Sequence, residues 1–308
     1  MAFAIFLLVL IFCALAISGY TYYIAFYSSP NMRCKNHNLP DSDQYNVFRE
    51  DNLNRISLLS AEAYEEVSIK SFDGLRLTGK YYHRYDNAPV AICFHGWRGS
   101  GIRDFCVGAF ALMDRGFNVL LVDQRAQGNS ESRTITFGIK ERYDCLEWTR
   151  YISRRFGPKI DIFLYGISMG GATVLMASGL GLPENVRCVI ADSPYSSPGD
   201  IIKKVCFDMR IPAVIAYPFV VLAARVFGRF DLSSTTAEAE VRKARIPILI
   251  IHGDDDRFVP CSMSECLAKA NPLVERHVFP GAGHGLSFLV DRPRYEALIS
   301  SFIKRTLR

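Results

Sequence analysis

From residue 65 onward the chain alternates strand-length apolar runs with helix-length stretches, and this pattern limits the possible folds more than any other feature. "PVAICFHG" (89–96) and "NVLLVD" (118–123) are continuous apolar runs. A strand apolar on both faces must be covered on both, as parallel strands joined by crossover helices are. "IDIFLYGIS" (160–168), "VRCVIADSP" (186–194), "IPILIIHG" (246–253) and "VERHVFPG" (274–281) continue the series. Helices are expected over 102–115, closed by Gly116, over 138–155, ending at Gly157-Pro158, from Met169 onward, and over 292–306. Upstream, "EEVSIK" (65–70) and "LRLTGKYYH" (75–83) alternate apolar and polar around Asp73-Gly74, a hairpin signal. The expected class is α/β, with a mostly parallel sheet and helices on both faces.

The chain's 308 residues suffice for one large core or a core with an inserted subdomain. Residues 196–243 separate two expected strands by more than one crossover helix needs. Their apolar stretch, 200–230, is interrupted by Pro212 and Pro218. We read a helical cap insertion. A second membrane helix over 211–227 is disfavoured by Pro218 and Arg225.

The N-terminus departs from a soluble protein. Residues 2–17 contain no polar side chain, and the first charged side chain is Arg33. A spanning helix needs about 20 apolar residues, which 2–27 could supply, with Tyr20, Tyr22, Tyr23 and Tyr27 as interfacial aromatics. A signal peptide cut after "ALA" (14–16) is the rival, but the basic n-region is missing. The expected division is an anchor (1–27), a linker (28–62) with a short helix near 50–62, and a catalytic domain (63–308). Arg33 and Lys35 follow the apolar stretch and no basic residue precedes it, which places the catalytic domain in the cytoplasm.

Lys and Arg (36) barely exceed Asp and Glu (31), and no basic run occurs, so nucleic acid is not an expected partner. The nine cysteines contain no CxxC, and Cys93 and Cys188 fall in expected strands. Free thiols are expected rather than disulfides.

Gly166-Ile167-Ser168-Met169-Gly170 fits G-x-S-x-G after a strand and before a helix. In that context the serine sits on a sharp, strained turn as a nucleophile. A serine hydroxyl needs a base, and the base an orienting acid. His284, in "GAGHG" (281–285) after the last strand, is the candidate base. "IIHGDDDRFVP" (250–260) offers Asp254, Asp255 and Asp256 as the acid, and Asp192 is a further candidate. A metal site in this acidic run lacks ligand-spaced partners. An oxyanion would be held by two backbone N–H groups. Met169, directly after the serine, supplies one, and Trp97, in "FHGWRGSG" (94–101), the other. His95 is read as bracing that loop.

Together these pieces resemble the α/β-hydrolase family of serine hydrolases over roughly residues 65–306. The motifs are "HGWRGS" (95–100), "GISMGG" (166–171), "HGDDDRFVP" (252–260) and "GAGHG" (281–285), with "VDQRAQGNS" (122–130) similar to the loop after the family's fourth strand. The resemblance implies the α/β-hydrolase fold and a Ser168–His284–Asp256 triad, because the family's HG-x-x-D-x-x-VP pattern carries its acid at Asp256. It further implies two-step acyl transfer on esters or thioesters, without cofactor or metal. The anchor plus core is similar to membrane-anchored bacterial α/β-hydrolases. "HGDDDRFVP" also resembles prolyl-oligopeptidase-type catalytic domains, so a serine peptidase is an alternative, and a non-catalytic binding protein on this fold a second. The apolar insertion is expected to overhang Ser168, with Ile201, Val205, Phe219 and Val220 lining an acyl pocket for a small-molecule or lipid-like substrate.

Overall fold

The computed structural model describes residues 1–33 and 39–307; Cys34 and Lys35 lie outside them. Eight strands are formed among the described residues: β1 (Glu65–Lys70), β2 (Arg76–Tyr82), β3 (Val90–Phe94), β4 (Asn118–Val122), β5 (Ile162–Ile167), β6 (Val186–Asp192), β7 (Ile248–Gly253) and β8 (Val274–Phe279). They join one sheet in the order β1-β2-β4-β3-β5-β6-β7-β8. β1 pairs antiparallel with β2, and β2 with β4, while every pairing from β4 through β8 is parallel. The β1–β2 turn passes through Gly74 at φ 90°, a conformation that disfavours a Cβ.

The central strands are buried on both faces, as their apolar runs require. Along β5, Ile162 and Leu164 join one apolar layer with Trp148, Val174 and Leu175. Phe163 and Tyr165 join the opposite layer with Phe105, Leu112 and Phe302. That period of two is the pleat itself. Helices Glu141–Phe156 and Met169–Ser178 cover the first layer, and Arg292–Thr306 the second. The helix expected over 102–115 is two short helices, Gly101–Asp104 and Gly108–Met113. Asp104 closes the first and accepts from the Gly96 N–H at 2.7 Å, so the break serves the loop after β3.

The helix Ala2–Ala25 is, among the described residues, the one long and apolar enough to cross a membrane by length and composition. Its first half is exposed, while its C-terminal end is tied to the body. The Ser28 N–H donates to Arg133 O and the Ile135 N–H to Phe26 O, at 2.9 and 2.8 Å. The Arg33 guanidinium donates to the carbonyls of Gly128, Ser130 and Ser132.

The short helix expected near 50–62 is formed as Arg49–Ala61 and buries Ile56 and Leu59 in the second layer. The insertion forms helices Pro198–Asp208, Ala213–Val226 and Ala237–Val241. One of its apolar faces is occupied, because Ile202, Cys206, Val220, Ala223 and Ala224 cluster with Phe26 from the end of the N-terminal helix. The described cysteines are all free thiols.

Arg125, in the loop after β4, is buried and forms a fork to Asp144, with both contacts at 2.6 Å. It also reaches Asp73 in the hairpin turn at 3.0 and 3.2 Å. Removing one partner of a buried ion pair leaves the other charge uncompensated. Arg125→Met should therefore cost about 3–5 kcal/mol, measured as a lower urea midpoint for the full chain in detergent. An unchanged midpoint would show that Asp144 finds another partner.

Candidate active site

Trp97, Ser168, Met169, Asp192, Asp254, Asp255, Asp256 and His284 all lie at the carboxyl edge of the sheet, at the end of a strand or directly after one. That is where open α/β sheets gather their ligands. Ser168 follows β5 at φ 56°, ψ −118°, a strained conformation for a residue with a side chain. Two close approaches impose it. A Cβ on Gly170 would lie 1.8 Å from Phe94 O at the end of β3, and one on Gly166 would lie 2.2 Å from Gly170 O. The helix Met169–Ser178 thus begins in backbone contact with two strands. The Ser168 N–H is held by Asp192 O at 2.8 Å.

Asp256 follows β7 and is nearly inaccessible. One carboxylate oxygen accepts the N–H groups of Phe258 and Val259 at 2.9 and 2.7 Å. The other faces two imidazoles: His284 Nδ1 at 2.7 Å and His252 Nε2 at 3.1 Å. His252 Nε2 also lies 3.0 Å from Val259 O, an acceptor only, so this nitrogen carries the proton. Burial alone would raise the Asp256 pKa. The imidazole of His284 and the hydrogen bonds from both histidines outweigh it and hold the carboxylate well below its usual range.

The other carboxylates are engaged elsewhere. Asp254 accepts from the Gly281 N–H at 2.7 Å and braces the loop carrying His284. Asp255 pairs with Arg257. Asp192, fully buried, accepts from the hydroxyls of Tyr295 at 2.9 Å and Ser193 at 3.0 Å, and the Tyr165 hydroxyl meets that of Tyr295. Burial pushes the Asp192 pKa up. Of these four candidates, Asp256 alone is hydrogen-bonded to His284.

The loop after β3 reaches the serine from the other side. A Cβ on Gly96 would lie 3.4 Å from Ser168 Cβ. His95 is fully buried, and burial lowers its pKa. It donates from Nδ1 to Gly96 O at 2.8 Å and accepts the Gln124 N–H at Nε2, 3.3 Å away, as a neutral ring does. Among the described residues the backbone N–H groups of Trp97 and Met169 have no hydrogen-bond acceptor. Met169 is the first helical residue, so its N–H has no intrahelical partner.

A cavity of about 800 Å³ opens over Ser168 and His284. Its apolar wall includes Leu39, Val107, Ile167, Leu286, Phe288 and Leu289. Contrary to expectation, Ile201, Val205, Phe219 and Val220 do not line it; Ile201 packs into the core instead. The segment 39–52 takes that place. The Tyr45 hydroxyl donates to His284 O at 2.6 Å. Gln44 Nε2 donates to Asp255 O and Oδ2 at 3.0 and 2.9 Å. Neither residue was singled out from the sequence, and neither was His252, although its place at the end of an apolar strand beside the acidic run was a usable signal. Arg98, which also lines the cavity, donates to Ile24 O and Tyr27 O, both at 3.0 Å. The cavity therefore adjoins the C-terminal end of the N-terminal helix. Among the described residues no cluster of metal-ligating side chains occurs.

A family model described as "Alpha/beta hydrolase family" matches residues 91–297. The chain is 23% identical over 250 residues to the uncharacterized protein YqkD of Bacillus subtilis, covering 79% of this chain and 81% of that one. It is 24% identical over 230 residues to the lysophosphatidylserine lipase ABHD12 of Danio rerio, covering 70% of this chain and 58% of the relative. Among solved structures, the Pyrococcus furiosus esterase Pf2001 superposes with a TM-score of 0.65 at 21% identity, over 92% of this chain and 99% of the esterase.

A carboxylate whose pKa is lower in the folded protein contributes stability that is complete above its ordinary value, about 3.9. That contribution is lost as pH falls through the lower folded value. The stability advantage of the parent over Asp256→Asn should therefore hold above about pH 4 and shrink below it, read from paired thermal melts. A difference that stays constant through that range would mean Asp256 is not held ionised by the two histidines.

Proposed function

The chain belongs to the alpha/beta hydrolase family and is a hydrolase, and from that premise we propose that it is a membrane-anchored serine hydrolase of lipid-like carboxylic esters or thioesters. One observation carries the reading: a serine on a strained bend and a histidine hydrogen-bonded to a buried carboxylate share one cavity. In this reading Ser168 is the nucleophile, His284 the base, Asp256 the orienting acid, and the N–H groups of Trp97 and Met169 the oxyanion donors.

The chemistry follows from the donor and acceptor roles. His284 donates from Nδ1 to Asp256, which leaves Nε2 as the acceptor for the Ser168 proton. Ser168 Oγ bonds to the carbonyl carbon, and the carbonyl electron pair moves to the oxygen, where the two N–H groups receive the charge. Collapse breaks the bond to the leaving alkoxide or thiolate, which takes the proton from Nε2. Water then repeats the sequence on the acyl-enzyme. Asp256 stabilises the imidazolium formed in each half without taking its proton.

The lipid-like preference is supported by the apolar wall and by the cavity's neighbour. Arg98 ties the cavity rim to the end of a helix apolar enough to enter a bilayer. The relative that acts on lysophosphatidylserine is consistent with it. We assign residues 1–27 as the anchor, 28–62 as the linker, of which 39–52 wall the cavity, and 63–308 as the catalytic body carrying the 196–243 insertion. Arg33 and Lys35 after the anchor favour a cytoplasmic body.

The test is kinetic. Ser168→Ala should abolish hydrolysis of p-nitrophenyl esters, and Asp256→Asn should lower kcat by about 10⁴-fold, while Asp192→Asn and Asp254→Asn cost far less. The parent's kcat/KM should rise with acyl length, by up to about fourfold per added methylene at ~0.8 kcal/mol each, until the cavity is filled. Retained activity in folded Ser168→Ala, or a profile flat from acetyl to decanoyl, would contradict the assignment or the acyl preference respectively.

A further inference from the structure

The insertion that leaves the cavity uncovered exposes an apolar surface elsewhere. Phe207 is 79% exposed, Met209 57%, Val214 83% and Ile215 62%, all in or beside the turn between the two long insertion helices. Val226 and Phe227, at the far end of the second helix, are exposed as well. Scattered exposed apolar residues need no explanation, but a run of large ones on one element does.

Three observations say what covers this surface. The first is continuity with the N-terminal helix. Ala14, Ser18, Gly19, Thr21, Tyr22 and Ala25 are its shielded positions, on one side of the helix by spacing, and the small residues there allow close approach. The helix Ala213–Val226 lies against it. A Cβ on Gly19 would lie 3.4 Å from the Phe227 ring, the Tyr22 and Phe227 rings are 6.0 Å apart, and Phe26 meets Phe230 edge-on at 5.3 Å. The second is length. The fourteen-residue helix, uncharged except for Arg225, rises about 21 Å, short of the ~30 Å hydrocarbon core, the length expected of a buried core helix or an interfacial segment. Its exposed side chains exclude the core helix. The third is charge. Lys203, Lys204 and Arg225 pair with Asp200, Asp208 and Asp231, while Arg210, within the turn, and Arg229, just past the second helix, have no ion pair among the described residues.

We propose that the 207–215 turn and the exposed face of the Ala213–Val226 helix form a second membrane-inserting element, seated in one leaflet beside the N-terminal helix. Arg229 meets anionic headgroups at its border, and Arg210 extends its side chain from the turn to the same headgroup level. A lone spanning helix can tilt in the bilayer, and the body tied to its end tilts with it. A second, shorter insertion fixes that tilt, and so fixes which side of the Arg98 rim faces the bilayer. The inference rests on the reading of residues 1–27 as a membrane anchor.

The experiment separates the two. Full-length Ile215→Trp and Leu8→Trp are reconstituted in vesicles of phosphatidylcholine and phosphatidylglycerol, with or without brominated acyl chains. Parent protein, with Trp97 and Trp148 only, gives the baseline. The expected result is loss of the added emission in brominated vesicles for Ile215→Trp to the same extent as for Leu8→Trp. Quenching of Leu8→Trp with none for Ile215→Trp would overturn the second insertion and leave the anchor intact, as when a second copy or water covers the face. No quenching of either would overturn the anchor reading and the inference with it.

Discussion

The active-site architecture depends on a backbone contact. The first turn of the helix after β5 presses against the carbonyl of Phe94 at the end of β3, in space where no Cβ fits at Gly170. Gly166 permits the same helix to fold back over its own strand. With both ends of the bend fixed, Ser168 is left at φ 56° with its amide held by Asp192 O. Strain of this kind persists only where the surroundings over-determine it. Here three adjacent parallel strands, β3, β5 and β6, do so together, so the serine's position is a property of the sheet rather than of its own loop.

The electrostatics are built on the same edge. A carboxylate buried at the end of β7 would be costly alone. Two backbone N–H groups and two imidazoles meet Asp256, and the charge is retained. Asp192, two strand positions from β8 in the same sheet, receives two hydroxyl donors and no ring, and burial shifts it the other way. Neighbouring carboxylates are thus driven apart by what surrounds them, the arrangement in which one can serve as a permanently charged orienting group.

The strands were legible because burial on both faces forces continuous apolar runs, and "PVAICFHG" and "NVLLVD" carry little else. The bend was legible because crowding demands glycines at fixed offsets from Ser168. Choosing Asp256 over Asp254 and Asp192 required a family pattern, since three consecutive aspartates at one strand end look alike until the fold turns each side chain. The role of 39–52 was hidden because Tyr45 reaches His284 across 239 positions of chain, and no local period encodes such a contact. The insertion misled for a related reason. The surface that buries part of its apolar content, at Phe26 and Tyr22, lies some 180 residues upstream in sequence.

The account's central claim is that Ser168, and no other hydroxyl, is the group activated in this cavity. Treating the full-length protein with a fluorophosphonate and mapping the adduct by peptide mass spectrometry tests it most directly. The account predicts one phosphonylated site, on the peptide bearing Ser168, with labelling lost in His284→Ala. Labelling at a different residue, or labelling of Ser168 that survives the loss of His284, would contradict it.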